Sequence, residues 1–231
     1  MSRTTRFFSL LILAGLIAIP AYPSVTTYTD LASWQAATSS NYQTVTFEGL
    51  TPADTSTYFN TASGVTADGV QFSGYTSSGN PSVQVIDTNV STWYNFGTND
   101  ALMQDMNRPN SGSALPYIQI VLPAGVNSVS FDLFSVSPNG LPVQITVNGV
   151  NYTVPTNSCP NTAFWGITST TPITSITITL LGTTYNGSTH LLLDNFRFGS
   201  MEDTAAPEAS TYVLIGSGLV GLVLFKRRLA V

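Results

Sequence analysis

The sequence predicts an all-β chain folded as two packed antiparallel sheets, and three observations carry that expectation. First, Val129, Phe131 and Leu133 alternate with Ser128, Ser130 and Asp132, and Ile176, Ile178 and Leu180 alternate with Thr177 and Thr179. A period of two places one face of each run on a core. Second, Asn148-Gly149 separates Val143–Val147 from Val150–Val154, the two-residue hairpin connection whose positions take positive φ. Third, no long helical pattern interrupts the short apolar runs, which favours antiparallel pairing and a two-sheet sandwich of jelly-roll type.

The elements follow in chain order. Thr29-Asp30 supplies an N-cap for a two-turn helix over Leu31–Ala37, with Leu31 and Trp34 on one side. Strands are expected at Thr44 to Phe47, Val70 to Tyr75, Val83 to Ile86, Tyr117 to Leu122, Val143 to Val147, Tyr152 to Val154 and Leu191 to Phe198, besides the two alternating runs. Pro138-Asn139-Gly140 and Asn186-Gly187 mark further turns. Asn89 to Asp105 reads as a loop carrying Trp93, Tyr94 and Phe96 among Asn95, Asn99, Asp100 and Asp105.

Charge narrows the function classes. Five of the seven basic residues lie near the termini, at Arg3, Arg6, Lys226, Arg227 and Arg228. Ser24 to Ser200 retains only Arg108 and Arg197 against nine acids. Nucleic acid is a poor partner for such a surface, because phosphate binding needs clustered Lys and Arg. Cys159 is the single cysteine, so stability rests on packing rather than an intrachain disulfide, and a small buried filler is its plain reading.

The ends read as addresses. Arg3 and Arg6, the apolar stretch from Phe7 to Ile19 and the Pro20-Ala21-Tyr22-Pro23 break have the parts of a secretory signal peptide, with its leader helix, over residues 1–23. At the other end, sixteen residues from Ser210 to Phe225 precede Lys226-Arg227-Arg228. As a helix they span about 24 Å, slightly short of an apolar membrane core of roughly 30 Å, and flanking residues close the gap. The basic cluster acts as a cytoplasmic stop that leaves the large domain outside. The organisation is therefore a leader at 1–23, an extracellular β-sandwich at 24–200, a linker at 201–209, a transmembrane helix at 210–225 and a basic tail at 226–231.

Pro207-Glu208, the short apolar helix and the basic terminus, in that order, resemble the PEP-CTERM sorting signal of Gram-negative bacteria. Ala209 stands where that pattern has its second proline. The resemblance implies sorting by the membrane protease exosortase in cells that make exopolysaccharide, after signal peptidase has removed the leader. It points to the cell envelope, cell surface or extracellular matrix, with exopolysaccharide as a partner. The stretch from Phe164 to Ser169, with Leu193-Asp194-Asn195-Phe196-Arg197-Phe198-Gly199, also resembles the ends of many such surface proteins, whose domains look like galactose-binding-like and lectin-like sandwiches.

Chemistry is sparse. Gly216-Ser217-Gly218-Leu219-Val220-Gly221 has dinucleotide-fingerprint spacing, but the chain after it is too short to supply the returning strand and acidic residue. His190, the single histidine, lacks a nucleophile motif and reads as a solvated turn residue. One His and one Cys build no protein-only zinc site. Glu48 with Asp132 or Asp194 would supply a carboxylate pair for glycoside hydrolysis, yet nothing selects a pair, and turn aspartates on the surface account for them. Asn89, Asn151 and Asn186 begin Asn-x-Ser/Thr triplets, which carry little meaning in the bacterial setting that the resemblance implies.

The candidate glycan-binding residues are Trp93, Tyr94, Asn99 and Asp100, because aromatic faces pack on pyranose C-H faces while amide and carboxylate groups bond to hydroxyls. No catalytic residue and no metal ligand is assigned. The one cofactor weighed is a structural calcium ion, with Asp194 and Asn195 offering oxygens. The expected function is a non-catalytic structural or adhesive surface protein, with a carbohydrate-binding module as the alternative and an extracellular hydrolase third.

Overall fold

The structure, a computed structural model, describes residues 24–38, 40–90, 100–107, 113–136, 141–156, 161–181 and 189–201. Its strands are β1 (Val25–Tyr28), β2 (Tyr42–Val45), β3 (Ser56–Phe59), β4 (Val65–Ala67), β5 (Val70–Tyr75), β6 (Val83–Asp87) and β7 (Asp100–Asp105). They continue with β8 (Tyr117–Val121), β9 (Ser128–Val136), β10 (Val143–Val147), β11 (Val150–Val154), β12 (Ala163–Ser169), β13 (Ser175–Leu180) and β14 (His190–Gly199). The α-helix α1 (Leu31–Ala37) follows β1, and a short 3-10 turn at Thr88–Val90 follows β6. The segments expected to be the leader, the linker from residue 202 onward, the transmembrane span and the basic tail lie outside the described residues, as does Cys159.

Every pairing is antiparallel. Sheet A has the order β1-β12-β9-β14-β7-β6-β3, with β2 also on β14; sheet B has the order β11-β10-β13-β8-β5-β4. Inward side chains of both sheets form one core, in which Phe72 meets Phe196 edge-on at 5.2 Å and Phe131 stacks on Phe196 at 5.8 Å. Two sheets sharing one core make the chain a β-sandwich.

Local chemistry explains the parts that were expected. Asp30 caps α1 by accepting from the Ser33 N–H at 2.8 Å, and Trp34 on the helix is fully buried. Asn148 and Gly149 take φ of 47° and 84° between β10 and β11, as the hairpin turn requires. Trp34 donates from Nε1 to the Ile167 carbonyl, which docks α1 on the outer side of β12.

Several expectations are corrected. The segment read as loop through Asp105 becomes strand from Asp100 onward, because Asp100 to Gln104 are all buried and show no alternation. A strand covered on both faces hides its period. β12 hides its period for the same reason, since Trp165 to Ser169 are all buried. β1, β3 and β4 are short edge or near-edge elements with weak patterns. The strand expected at Thr44 to Phe47 runs instead from Tyr42 to Val45.

β14 holds the two halves of sheet A in line. One edge pairs with β9 over its whole length; the other pairs with β7 through His190–Leu193 and with β2 through Phe196–Gly199. Between them the register shifts, and Asn195 adopts φ of 50°. The bulge keeps Leu191, Leu193, Phe196 and Phe198 all in the core although their spacing breaks the period of two.

Candidate functional site

The junction of β2 and β7 beside β14 is where the chain concentrates its carboxylates. Leaving β2, the backbone passes through Phe47 and Gly49 at φ of 61° and 76°. Phe47 pays for this strained turn by burying its ring edge-on against Phe72 at 4.9 Å. The turn aims the Gly49 N–H at Asp100 Oδ2, 2.8 Å away, while the Asp100 N–H reaches Glu48 Oε1 at 3.4 Å.

A second carboxylate repeats the device. Asp87 is the register partner of Asp100. Its Oδ2 accepts from the Asp54 N–H at 2.6 Å and its Oδ1 from the Asn89 N–H at 2.9 Å. The Asp87 N–H donates to the Thr55 carbonyl at 3.0 Å. Opposed aspartates therefore tie residues 49–55 to the base of the connection from β6 to β7.

Their electrostatics differ in sign. The Asn89 and Asp54 amides hold the Asp87 carboxyl below the usual carboxylate range. Burial pushes Asp100 above that range, and the negative charges of Glu48 and Asp87 add to the rise, against the pull of the Gly49 amide. Both groups accept from backbone amides, which stiffens the base of the loop.

The candidate glycan-binding residues divide here. Asp100 is 4% exposed and engaged with Gly49, so it anchors the connection instead of standing open on it. Trp93, Tyr94 and Asn99 lie outside the described residues. The anchoring role of Asp87 had no strong sequence signal beyond an acid closing one strand while another opens the next.

The aspartates expected on surface turns are also relocated. Asp132 and Asp194 face each other across β9 and β14, and Asp194 is fully buried. Arg197 Nη2 bridges to Asp132 Oδ2 at 3.2 Å, with side chains only 10% and 19% exposed. Burial raises the Asp132 carboxyl above its ordinary range, while Arg197 and a bond from Asn195 pull it back. Asp194 and Asn195, the oxygens weighed for calcium, thus lie at a mid-strand bulge beside this ion pair. Among the described residues no three His, Cys, Asp or Glu side chains are grouped to hold a metal.

His190 is not a solvated turn residue. It opens β14 opposite Asp105, with Nδ1 buried and without a hydrogen-bond partner, and burial lowers its pKa. At the other end of the strand, an open groove of about 510 Å³ is lined by Tyr42, Gln43, Asp68, Pro123 and Phe198. It borders Ser200, the residue after the end of β14.

Neither a protein-family model nor a curated protein matches the chain. Among solved structures, the K1 cleaved adhesin domain of Lys-gingipain from Porphyromonas gingivalis W83 superposes with a TM-score of 0.38 at 10% identity, covering 69% of this chain and 98% of that one. The K2 adhesin domain of Lys-gingipain gives 0.39 at 15% identity, with 69% and 98% covered. A family 29 carbohydrate-binding module gives 0.33 at 17% identity, with 66% and 95% covered. At this level of superposition these likenesses carry no information on ligand or activity.

Proposed function

We propose that this chain is an exported surface or matrix protein whose sandwich has a structural or adhesive role without catalysis. The observation that carries the reading is the commitment of its buried acids to architecture: Asp87 and Asp100 bind backbone amides, and Asp132 pairs with Arg197. The terminal segments support export and envelope retention. Residues 1–23 serve as the leader removed by signal peptidase, and Pro207 and Glu208 as the motif read by exosortase. Residues 210–225 span the membrane before processing, with Lys226, Arg227 and Arg228 as the stop.

Within the sandwich class, we assign the jelly-roll type. Strands β7 to β14 taken in sequence fill β7-β14-β9-β12 in sheet A and β8-β13-β10-β11 in sheet B. That distribution is two interleaved Greek keys.

A second reading, a carbohydrate-binding loop, is favoured by the clamp at the base of the β6 to β7 connection, whose sequence holds Trp93, Tyr94 and Asn99. Rigid anchors beneath a variable connection are how scaffolds carry binding residues. Incubating the purified chain with polysaccharide and ester libraries tests the first reading against a hydrolase. No turnover above the blank is expected, and turnover removed by a carboxylate substitution would establish an enzyme. Glycan-array binding lost on Trp93→Ala would support the loop.

A further inference from the structure

The two outer faces of the sandwich are built differently. On sheet A, α1 covers β12, and Ile86, Ala101, Met103, Phe134 and Leu192 form a second buried apolar cluster. On sheet B, the residues that alternate with the core positions point away from it, and they range from half-buried to exposed except Ser73.

Strand register orders these outward side chains into rows. Gln144, Thr179, Tyr117 and Tyr75 are successive partners across β10, β13, β8 and β5. Thr146, Thr177 and Gln119 form the next row. Neighbouring strands are about 4.8 Å apart, so each row repeats its polar groups at roughly that interval. Tyr75 and Tyr117 close one row as a stacked pair, with ring centroids 4.8 Å apart and planes 20° from parallel.

No charged side chain stands in these rows, although the segment from Ser24 to Ser200 carries nine acids. Exposed sheet faces are ordinarily kept soluble by mixed charges. Here hydroxyls and amides replace them, each able both to donate and to accept. Sugar hydroxyls have the same dual capacity, and tyrosine rings offer surfaces for the C-H faces of a pyranose.

We propose that the outer face of sheet B binds an uncharged polysaccharide chain lying along these rows, with Tyr75 and Tyr117 as its aromatic contact. The rows repeat regularly and the surface is a sheet rather than a closed pocket, which suits a polymer better than a single sugar. The acidic domain repels polyanions, so the ligand is neutral. Among the described residues, Val121 is the one large apolar side chain strongly exposed on this face, at 40%, which gives little of the apolar centre that protein interfaces use. The proposal rests on the adhesive reading but not on Trp93 or its neighbours.

The test is affinity electrophoresis of the full chain in detergent, in gels cast with hydroxyethylcellulose, glucomannan or dextran, with alginate as the anionic control. Retardation is expected in at least one neutral gel and absent in alginate. Tyr117→Ala and Thr177→Glu should each weaken it at least tenfold, while Thr177→Ser should preserve it. Circular dichroism checks that each variant folds, and Thr177→Glu on the open face keeps the test valid if Tyr117→Ala does not. Absence of retardation in all three neutral gels overturns the proposal. So does binding that only Trp93→Ala removes, which would leave the adhesive reading standing through the loop. Sedimentation showing self-association that Thr177→Glu abolishes, without sugar binding, would make the face a contact between copies and equally overturn it.

Discussion

Gly166 leaves the space in which Trp34 lies: a Cβ at that position would stand 2.7 Å from Trp34 Cδ1. β12 thus gives up a side chain on its outer face so that α1 can press its one fully buried residue onto the sheet. Gly166→Ala should push the helix outward and destabilise the sandwich by about 1–3 kcal/mol, the usual cost of overpacking. Urea denaturation measures the loss. A variant as stable as the parent would contradict the packing described.

The Asp132–Arg197 pair predicts a pH-dependent defect. Arg197→Leu removes the compensating charge from a carboxylate that burial already opposes. The variant should lose about 2–4 kcal/mol near pH 7, toward the lower part of the range for broken buried pairs because Asp132 retains some solvent contact. The sign follows from a folded pKa raised further above the unfolded value. The penalty belongs to the charged carboxylate, so it shrinks as pH falls through that raised pKa and the carboxyl is protonated. Denaturation curves across this acid range should therefore converge with those of the parent.

The two clamp aspartates should respond to acidification with opposite sign. Asp100, with its raised pKa, takes up a proton at higher pH than Asp87, whose pKa is lowered. The stabilising contribution of Asp87 is present above the ordinary carboxylate range and is lost only as pH falls through its lowered value. Hydrogen exchange should show the Asp54 and Asn89 amides losing protection as pH falls through the lowered Asp87 pKa, while protonation of Asp100, which the folded state favours, leaves the Gly49 amide protected. Loss of protection at Gly49 before Asp54 and Asn89 would contradict the assigned electrostatics.

How far the sequence could be read depended on whether a strand has one dry face or two. β10 and β13 alternate cleanly because one side is wetter, whereas β9, buried on both faces, keeps its period because the side chains it turns away from the core are Ser128, Ser130 and Asp132. β7 and β12 run through buried surroundings, so their apolar residues are consecutive and the period vanishes. The β14 bulge left a trace, since the apolar spacing slips by one at Asn195. The clamp was illegible because Gly49 and Asp100 lie 51 residues apart and meet only through the shared edge of β14.

The segment from Ser24 to Ser200 should fold alone without reductant or zinc, since its single thiol forms no intrachain disulfide and its core is apolar. Circular dichroism should give a β-dominated spectrum that a zinc-selective chelator leaves unchanged. A predominantly helical spectrum would contradict the architecture.

The central claim, export followed by exosortase sorting, is tested most directly by mass spectrometry of the C-terminus of the surface protein from an exosortase-positive host. The predicted product ends near Pro207-Glu208 and lacks the 210–225 segment, while Glu208→Ala accumulates as an unprocessed membrane form. Deleting Lys226 to Arg228 should instead leak intact protein into the medium, because nothing charged resists translocation of the helix. A parent chain recovered intact through Val231 in that host would contradict sorting and leave only a single-span anchor.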